Sequence, residues 1–310
     1  MNPLIGYYKT VDGKMTHLDE WEAGCWIRCV APQDQEVNGL IEEFAIEPDF
    51  FRAAMDEEES SHIDSEDGNT LIIIDIPVVE KPDETIAYTT TPLGIIITEK
   101  TVITVCMKQN PILDELAEGF VRDVQTNWKT RFALTIMLRV ATRYLQYLKQ
   151  IDKISNLVER KLRKSMKNSE LIQLLNIEKS LVYFSSSLKA NEITIEKIMR
   201  GRAIRLYEED QDLLEDVLIE VRQGIDMSSI YLNILSGTMD AFASIISNNL
   251  NIVMKVLTSV TLLISIPTLI SGIYGMNVEG LPVPSFWVPI AVSVVLMAIA
   301  FFILKKKDMI

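Results

Sequence analysis

Two long apolar runs near the carboxyl end place the strongest constraint on how this 310-residue chain folds. They are Val256 to Tyr274 and Phe286 to Leu304, each of 19 residues. A helix of about 20 apolar residues crosses a bilayer core of roughly 30 Å. Glu279 is the only charged residue between Lys255 and Lys305. The sequence therefore predicts two membrane-spanning helices and excludes a freely soluble enzyme.

The charge of the chain lies almost wholly ahead of these two runs. The formal net charge is −13, since 43 acidic residues stand against 30 basic ones. Such a surface repels nucleic acid and anionic lipid headgroups and attracts cations. The composition therefore argues against a nucleic-acid partner, and it leaves cation attraction and simple solubility as two explanations of the acidity.

Cysteine and histidine are too scarce for most redox and metal centres. Cys25, Cys29 and Cys106 do not form a disulfide framework, and the spacing of the first two fits neither a CxxC redox motif nor a zinc ribbon. Only His17 and His62 are present, which excludes a histidine-rich zinc or di-iron centre. The sequence shows no nucleophile–base set either. We therefore predict that the chain is not an enzyme and that its soluble part lies in the reducing cytosol.

Residues 1–110 are predicted to form a cytoplasmic mixed α/β domain. Segments rich in β-branched residues favour strands at Leu71–Ile76, Ile86–Thr91, Gly94–Thr98 and Val102–Cys106. A short helical stretch lies near Phe50, and the acidic run Asp56, Glu57, Glu58 and Glu59 follows it.

The rest of the soluble part is predicted to be helical. Residues 111–205 form a cytoplasmic bundle with two long helices, Arg131–Ser165 and Ser169–Arg200. A further helix from Tyr207 to Tyr274 would be on the order of 100 Å long at 1.5 Å per residue. Residues 206–274 are therefore predicted to be a stalk that continues into the first membrane span.

One face of the stalk has an apolar seam with heptad spacing. Its members are Leu214, Leu218, Val221, Ile225, Ser228, Leu232, Leu235, Met239, Phe242 and Ile246. A repeat of 3.5 residues keeps one face turned towards a partner over many turns. We interpret it as a packing seam.

A second seam with the same spacing is polar. It contains Asn233, Gly237, Asp240, Ser244, Ser247, Asn251, Met254, Thr258, Thr261, Ser265, Thr268 and Gly272. Inside the membrane such a stripe suits either close helix packing or the lining of a pore. Its continuity with Asp240, and further up with Asp226 and Asp216, favours a wet axis, because carboxylates at a dry interface are unfavourable. We interpret the stripe as the lining of a channel between identical helices.

The link between the two spans contains the tripeptide Gly275-Met276-Asn277. Here the chain resembles the CorA family of divalent-cation (magnesium/cobalt) transporters, which has this tripeptide after its penultimate membrane helix. Two carboxyl-terminal spans, a lysine tail, an acidic α/β domain and a rod-length helix extend the resemblance over the whole chain. It implies a homopentameric funnel with five long helices around the pore, a loop at residues 275–285, a second span at 286–304 and a basic tail at 305–310.

The same resemblance implies a multi-pass protein of the cell (inner) membrane with both termini in the cytoplasm. The charge distribution agrees, since the loop lacks Lys and Arg whereas Lys305, Lys306 and Lys307 follow the last span. The expected partners are identical subunits, membrane lipid and divalent cations.

The resemblance also implies roles for single residues. The selectivity filter would be Gly275, Met276 and Asn277, and the pore lining would be Asp240, Asn251, Met254, Leu257, Thr258, Thr261, Ser265 and Thr268. Met254 and Leu257 match an apolar constriction. Asp216 falls where the family binds a regulatory divalent ion between subunits, and the run Asp56, Glu57, Glu58 and Glu59 is either its partner or a solvated loop. The loop lacks a second acid at Leu281–Pro284, so cation attraction there rests on Glu279.

These expectations combine into one functional hypothesis. The chain mediates influx of hydrated divalent cations, chiefly Mg²⁺ and also Co²⁺ or Ni²⁺, driven by the membrane potential and gated by intracellular Mg²⁺ bound between subunits. One alternative is a zinc transporter of the same superfamily. Another is a membrane-anchored coiled-coil sensor without transport, which would leave the polar stripe unexplained.

Overall fold

The structure is a computed structural model, and it describes residues 5–80, 87–165, 168–201, 204, 206–276 and 285–309. Its contacts divide the chain into two units, Met1–Ser236 and Gly237–Ile310, and one long helix, Glu208–Tyr274, belongs to both. The domain boundaries expected at residues 110 and 205 fall inside the first unit and stay predictions.

The described part of the first unit contains a seven-stranded sheet. The strands are β1 (Ile5–Val11), β2 (Lys14–Leu18), β3 (Trp26–Val30), β4 (His62–Glu66), β5 (Asn69–Glu80), β6 (Ala87–Ile97) and β7 (Val102–Cys106). Their spatial order is β2-β1-β3-β7-β6-β5-β4, and only the β3–β7 pair is parallel. The predicted mixed α/β architecture is confirmed.

Helices cover both faces of this sheet. They are α1 (Asp34–Phe44), α2 (Pro48–Met55), α3 (Pro111–Ala117), α4 (Lys129–Ser165) and α5 (Asn168–Met199). Successive side chains of a strand point to opposite faces. Accordingly, Ile27 of β3 belongs to the core that includes residues of α1 and α2. The Trp26 ring lies 5.4 Å from the Phe132 ring of α4, and Arg28 forms an ion pair with Asp114 of α3. The result is three layers with the sheet in the middle.

One strand differs from its prediction. The two segments expected around Pro92 form the single strand β6, in which Pro92 lies opposite Asp75 of β5. The backbone N–H of Asp75 donates to Asn191, away from β6, and β7 pairs only with residues 94–97 of β6. Proline lacks a backbone N–H, so a strand tolerates it only where that N–H would have had no partner in the neighbouring strand. Pro92 therefore does not break β6.

The long helices follow the predictions closely. Helices α4 and α5 end and begin at Ser165 and Asn168, and α6 (Glu208–Tyr274) has 67 residues. Helix α7 (Trp287–Lys306) completes the second unit. Both α6 and α7 are long and apolar enough to cross a membrane, and only 6% and 11% of their apolar windows are buried within the chain. Core helices of a soluble protein would be mostly buried.

Candidate ion pathway

The apolar seam of α6 is its packing face. Leu214, Leu218, Val221, Ser228, Leu235 and Phe242 are all buried. Helix α5 lies close to α6 within the first unit. A Cβ atom added at Gly224 of α6 would lie 3.1 Å from Leu188 Cδ1 of α5. The Arg222 guanidinium adds hydrogen bonds of 2.7 Å each to Glu192 and Glu196 of α5. The packing role predicted for this seam is confirmed from Leu214 to Phe242, with Ile225, Leu232 and Met239 half-buried. The last predicted member, Ile246, is 37% exposed.

The polar stripe of α6 is exposed along its whole length. Every predicted member lies open on the surface of the chain, namely Asn233, Gly237, Asp240, Ser244, Ser247, Asn251, Met254, Thr258, Thr261, Ser265, Thr268 and Gly272. No member is therefore buried against α7 of the same chain. The stripe is therefore available for contact with water, lipid or other subunits.

Three hydroxyl groups of the stripe are oriented by their own helix. Thr261 and Ser265 donate hydrogen bonds of 2.8 Å to the carbonyl oxygens of Leu257 and Thr261, and Thr268 donates one of 3.0 Å to Ile264. A hydroxyl has one hydrogen to donate and two lone pairs. Because each hydrogen is directed back to the helix, the outward side of each oxygen accepts hydrogen bonds.

Two apolar side chains, Met254 and Leu257, precede these hydroxyls on α6 and form an apolar level. Met254 and Leu257 are 52% and 58% exposed, and Thr258 beside them is exposed too. The role of this level as an apolar constriction stays a prediction.

The predicted filter lies only partly within the described residues. Helix α6 ends at Tyr274, after which the Gly275 N–H donates to the Ser271 carbonyl at 2.9 Å and the Met276 N–H to Ile273 at 3.3 Å. Gly275 and Met276 are exposed. Asn277 and Glu279 lie outside the described residues, so their predicted roles stay predictions.

The acidic run forms a turn directly after α2. The Glu58 N–H donates to Asp56 Oδ1 at 2.9 Å, Lys108 Nζ lies 3.8 Å from Glu57 Oε2, and His62 Nδ1 lies 3.6 Å from Glu59 Oε1. Two of its four acids thus already have basic neighbours.

The remaining predicted acids lie on α6. Asp216 and Asp240 are both exposed, and the Asp240 carbonyl oxygen accepts the Ser244 hydroxyl at 3.0 Å. Among the residues described, no group of three or more His, Cys, Asp or Glu side chains is arranged to hold a metal ion. The regulatory role of Asp216 stays a prediction.

Comparison with known proteins identifies the family. The model of the CorA-like Mg²⁺ transporter proteins matches residues 21–306. The chain belongs to this family. The cobalt/magnesium transport protein CorA of Methanocaldococcus jannaschii is 30% identical over 290 residues, which cover 91% of this chain and 90% of that one. CorA-like proteins are transporters, so the chain is not an enzyme.

Solved structures agree with this membership. The complete structure of the CorA magnesium transporter from Methanocaldococcus jannaschii is 26% identical, has a TM-score of 0.83 and covers 98% of both chains. The cytoplasmic domain of ZntB from Vibrio parahaemolyticus is 12% identical, with a TM-score of 0.59 over 79% of this chain and 96% of that domain, and it shares the fold alone. The predicted architecture of α/β domain, long helix and two carboxyl-terminal apolar helices is confirmed as that of CorA.

Sequence reasoning missed a polar cluster in the first unit of this CorA-like chain. Asn191 of α5 accepts from the Asp75 backbone N–H and donates to its carbonyl, both at 2.8 Å, and Tyr144 donates to the same carbonyl at 3.1 Å. Burial raises the pKa of the Asp75 carboxyl, and a hydrogen bond from Ser187 opposes that rise. A single aspartate inside the apolar strand of residues 71–79 is the signal that identifies the cluster.

Proposed function

We propose that this chain is one subunit of a membrane channel for influx of hydrated divalent cations, chiefly Mg²⁺, with Co²⁺ and Ni²⁺ as further cargo. The observation that carries the proposal is the exposed stripe of oxygen acceptors that follows α6 from Asn233 to Thr268 into an apolar span. Membership of a family of Mg²⁺ transporters supports it, as does the name of the cobalt/magnesium relative.

Identical subunits complete the conduit. A single helix presents the stripe on one side only, so a water-filled axis requires several copies around it. We propose five copies, as the resemblance to the family implies, embedded in the lipid of the cell membrane with both termini in the cytoplasm. The lysine tail at Lys305 to Lys307 supports this topology by the positive-inside rule.

The oxygens of the lining suit an ion that keeps its water. Mg²⁺ dehydrates reluctantly and requires near-octahedral geometry. The Thr261, Ser265 and Thr268 oxygens accept hydrogen bonds from water in the hydration shell, while their own hydrogens stay on the helix. At the outer mouth the amide of Asn277 does the same beside Gly275 and Met276, and Glu279 raises the local cation concentration.

The apolar level at Met254 and Leu257 closes the ion path when water leaves this part of the pore. Hydrophobic constrictions gate ion flow by excluding water. Asn251 and Asp240 on the cytoplasmic side, and Thr258 on the other, present polar groups to the ion before and after this level.

Gating by internal Mg²⁺ is proposed to act through Asp216. Carboxylate oxygens are the ligands that Mg²⁺ prefers in proteins. Asp216 of one subunit, together with acids from the run Asp56 to Glu59 of its neighbour, binds regulatory Mg²⁺ when the cell is replete. Without the ion these carboxylates repel each other, which favours a wider arrangement of subunits.

The membrane potential supplies the driving force. Each charge gains about 2.3 kcal/mol per 100 mV, so a divalent cation gains about 4.6 kcal/mol, or roughly three decades of accumulation. No nucleotide-binding motif is required.

Flux into liposomes that contain only this protein tests the function. A magnesium-sensitive dye inside the vesicles reports uptake at an imposed negative internal potential, and parallel assays use Co²⁺, Ni²⁺ and Zn²⁺. We expect Mg²⁺ uptake that rises with potential and fails in protein-free vesicles. Uptake of Zn²⁺ in preference to Mg²⁺ would establish the zinc transporter instead, and no uptake of any ion would favour the membrane-anchored sensor.

A further inference from the structure

Ser259 differs from its neighbours on α6. Its side chain is fully buried, with 0% exposure, whereas Leu257, Thr258 and Val260 are exposed. Its hydroxyl donates a hydrogen bond of 3.1 Å to the backbone carbonyl of Met309, 50 residues further along the chain. Four hydroxyls on the stripe, those of Ser244, Thr261, Ser265 and Thr268, instead donate to carbonyls of their own helix. Ser259 therefore links α6 to the residues that follow α7.

The carboxyl-terminal segment has the geometry needed to hold this link. The Met309 N–H donates to the Leu304 carbonyl at 3.1 Å, and Asp308 has φ +50°. A left-handed residue followed by a bond from the next N–H to a carbonyl five residues back is the Schellman ending of a helix. We call residues 307–309 the C-terminal turn. Because the turn is fixed to α7, the Met309 carbonyl is presented to α6 from a defined position.

The C-terminal turn lies behind α6 with respect to the polar stripe. At 100° per residue, Ser259 points about 130° away from the centre of the stripe formed by Met254, Thr258, Thr261 and Ser265. It lies within one helical turn of Leu257, at the apolar constriction. Outward movement of α6 at this level, away from a pore axis, would run into the C-terminal turn.

We propose that Ser259 is a positioning residue, and that the C-terminal turn it binds is a back-stop that limits widening of the constriction at Met254 and Leu257. The proposal rests on the channel function proposed above. Loss of the Ser259–Met309 bond frees α6 to move outward, so flux rises and block by internal Mg²⁺ weakens. Neither residue contacts the ion.

The first test is Ser259→Ala, with Mg²⁺ uptake measured at high internal Mg²⁺ in the liposome assay. One hydrogen bond contributes about 0.5–1.5 kcal/mol net, so we expect flux to rise about two- to tenfold. Ser293→Ala is the matched control, because its hydroxyl is also buried but bonds to Pro289 within α7 at 2.6 Å. Equal flux in both variants would overturn the proposal.

A chain that stops at Asp308 removes the acceptor instead of the donor. We expect the same rise in flux, and we expect the truncated chain with Ser259→Ala to show no further rise, because both changes break one bond. If the flux of the double variant instead rises by the product of the two single increases, Ser259 acts through a contact other than Met309, which contradicts the back-stop.

Asp308 allows a change in the opposite direction. Glycine adopts the left-handed conformation more readily than other residues, so Asp308→Gly should stabilise the C-terminal turn. Asp308→Asn removes the same charge and keeps a side chain. We expect lower flux in the glycine variant than in the asparagine variant, and higher flux in the glycine variant would count against the turn as a back-stop.

Thiol labelling tests the contact without any transport. Cys25, Cys29 and Cys106 are buried, so a maleimide reports mainly a cysteine placed at position 259 by Ser259→Cys. We expect slow labelling in the full chain and at least several-fold faster labelling in the chain that stops at Asp308. If wild-type protein carries no Mg²⁺ but labelling follows this pattern, the channel function fails while the contact stands. Normal Mg²⁺ flux with equal labelling rates would refute the back-stop alone.

Discussion

Asn191 binds Asp75 as a neighbouring β-strand would. Its side-chain oxygen accepts from the Asp75 backbone N–H and its amide nitrogen donates to the Asp75 carbonyl, both at 2.8 Å. The edge strand β4 pairs with β5 only as far as Ile73. One amide of α5 therefore continues the hydrogen bonding of the sheet where β4 has ended, and it fixes α5 to β5.

Replacement of this amide should destabilise the first unit. In Asn191→Ala the Asp75 carbonyl keeps only the Tyr144 hydroxyl as donor, and the Asp75 backbone N–H keeps only the Ser61 hydroxyl as acceptor. We expect this to lower the free energy of unfolding by about 1–3 kcal/mol. We expect a fall in the melting temperature of the full-length protein in detergent. Asn156→Ala is the control, because Asn156 is exposed and bonds only within α4. A loss of the same size in the control would contradict this role.

Glu115 makes stability depend on pH. Burial acts to raise the pKa of its carboxyl, but hydrogen bonds from Arg143 and Arg139 outweigh burial and lower it below 4.5. A lowered carboxyl pKa gives stability that is present above the unfolded value and lost as pH falls through the folded one. We expect Glu115→Gln to melt lower than wild type at pH 7 and the gap to narrow below pH 4.5. The exposed pair of Asp49 with Arg52 supplies the control Asp49→Asn, whose gap should be small at every pH.

Asn277→Ala tests recognition at the outer mouth. In the proposed channel, this change removes a ring of amide oxygens that accept hydrogen bonds from the hydration shell of the arriving ion. We expect at least a tenfold loss of Mg²⁺ uptake and weaker discrimination against other divalent ions, measured in liposomes. Asn156→Ala again serves as control. Unchanged flux and selectivity would show that hydrated-ion recognition does not depend on Asn277.

Asp216→Ala tests the regulatory site. Without this carboxylate, internal Mg²⁺ should no longer hold neighbouring subunits together, so uptake at high internal Mg²⁺ should rise several-fold. Glu215→Ala removes the same charge from the adjacent, also exposed position on α6 and should behave as wild type. If inhibition by internal Mg²⁺ survives in Asp216→Ala, regulation lies elsewhere.

Leu257→Thr tests the apolar constriction. A hydroxyl at this level favours water, and a wetted constriction conducts. We expect a higher flux at high internal Mg²⁺ than in wild type. Val256→Thr places the same hydroxyl about 170° around α6 from the centre of the stripe and should leave the flux near that of wild type. A larger effect of the second variant would place the stripe on the wrong face of the helix.

The parts of the fold that depend on local pattern were predictable. The heptad seam places Leu214 to Phe242 on the buried face, and helix ends at Ser165 and Tyr274 match the sequence signals. The strands β1, β2, β3 and β4 were missed, although Asp12-Gly13 and Asp67-Gly68 join two hairpins with positive φ at all four residues. Asp-Gly is a strong hairpin signal, so the β1–β2 and β4–β5 hairpins could have been predicted from the sequence.

The predicted site divides in the same way. Exposure of the stripe follows from helical spacing, because residues three and four apart share a face. The link between Ser259 and Met309 joins residues 50 apart through the packing of two helices, and no local spacing encodes it. The regulatory role of Asp216 stays a prediction, because the proposed site takes ligands from a second subunit, and the pattern of one chain does not position them.

The hydroxyl groups of Thr261, Ser265 and Thr268 have a consequence for charge discrimination. Since each hydrogen is already committed to a carbonyl of its own helix, an anion that enters this stretch meets lone pairs and finds no proton donor among these three groups. In the proposed pore we therefore expect the direction of these dipoles to disfavour chloride, although the segment carries no formal charge.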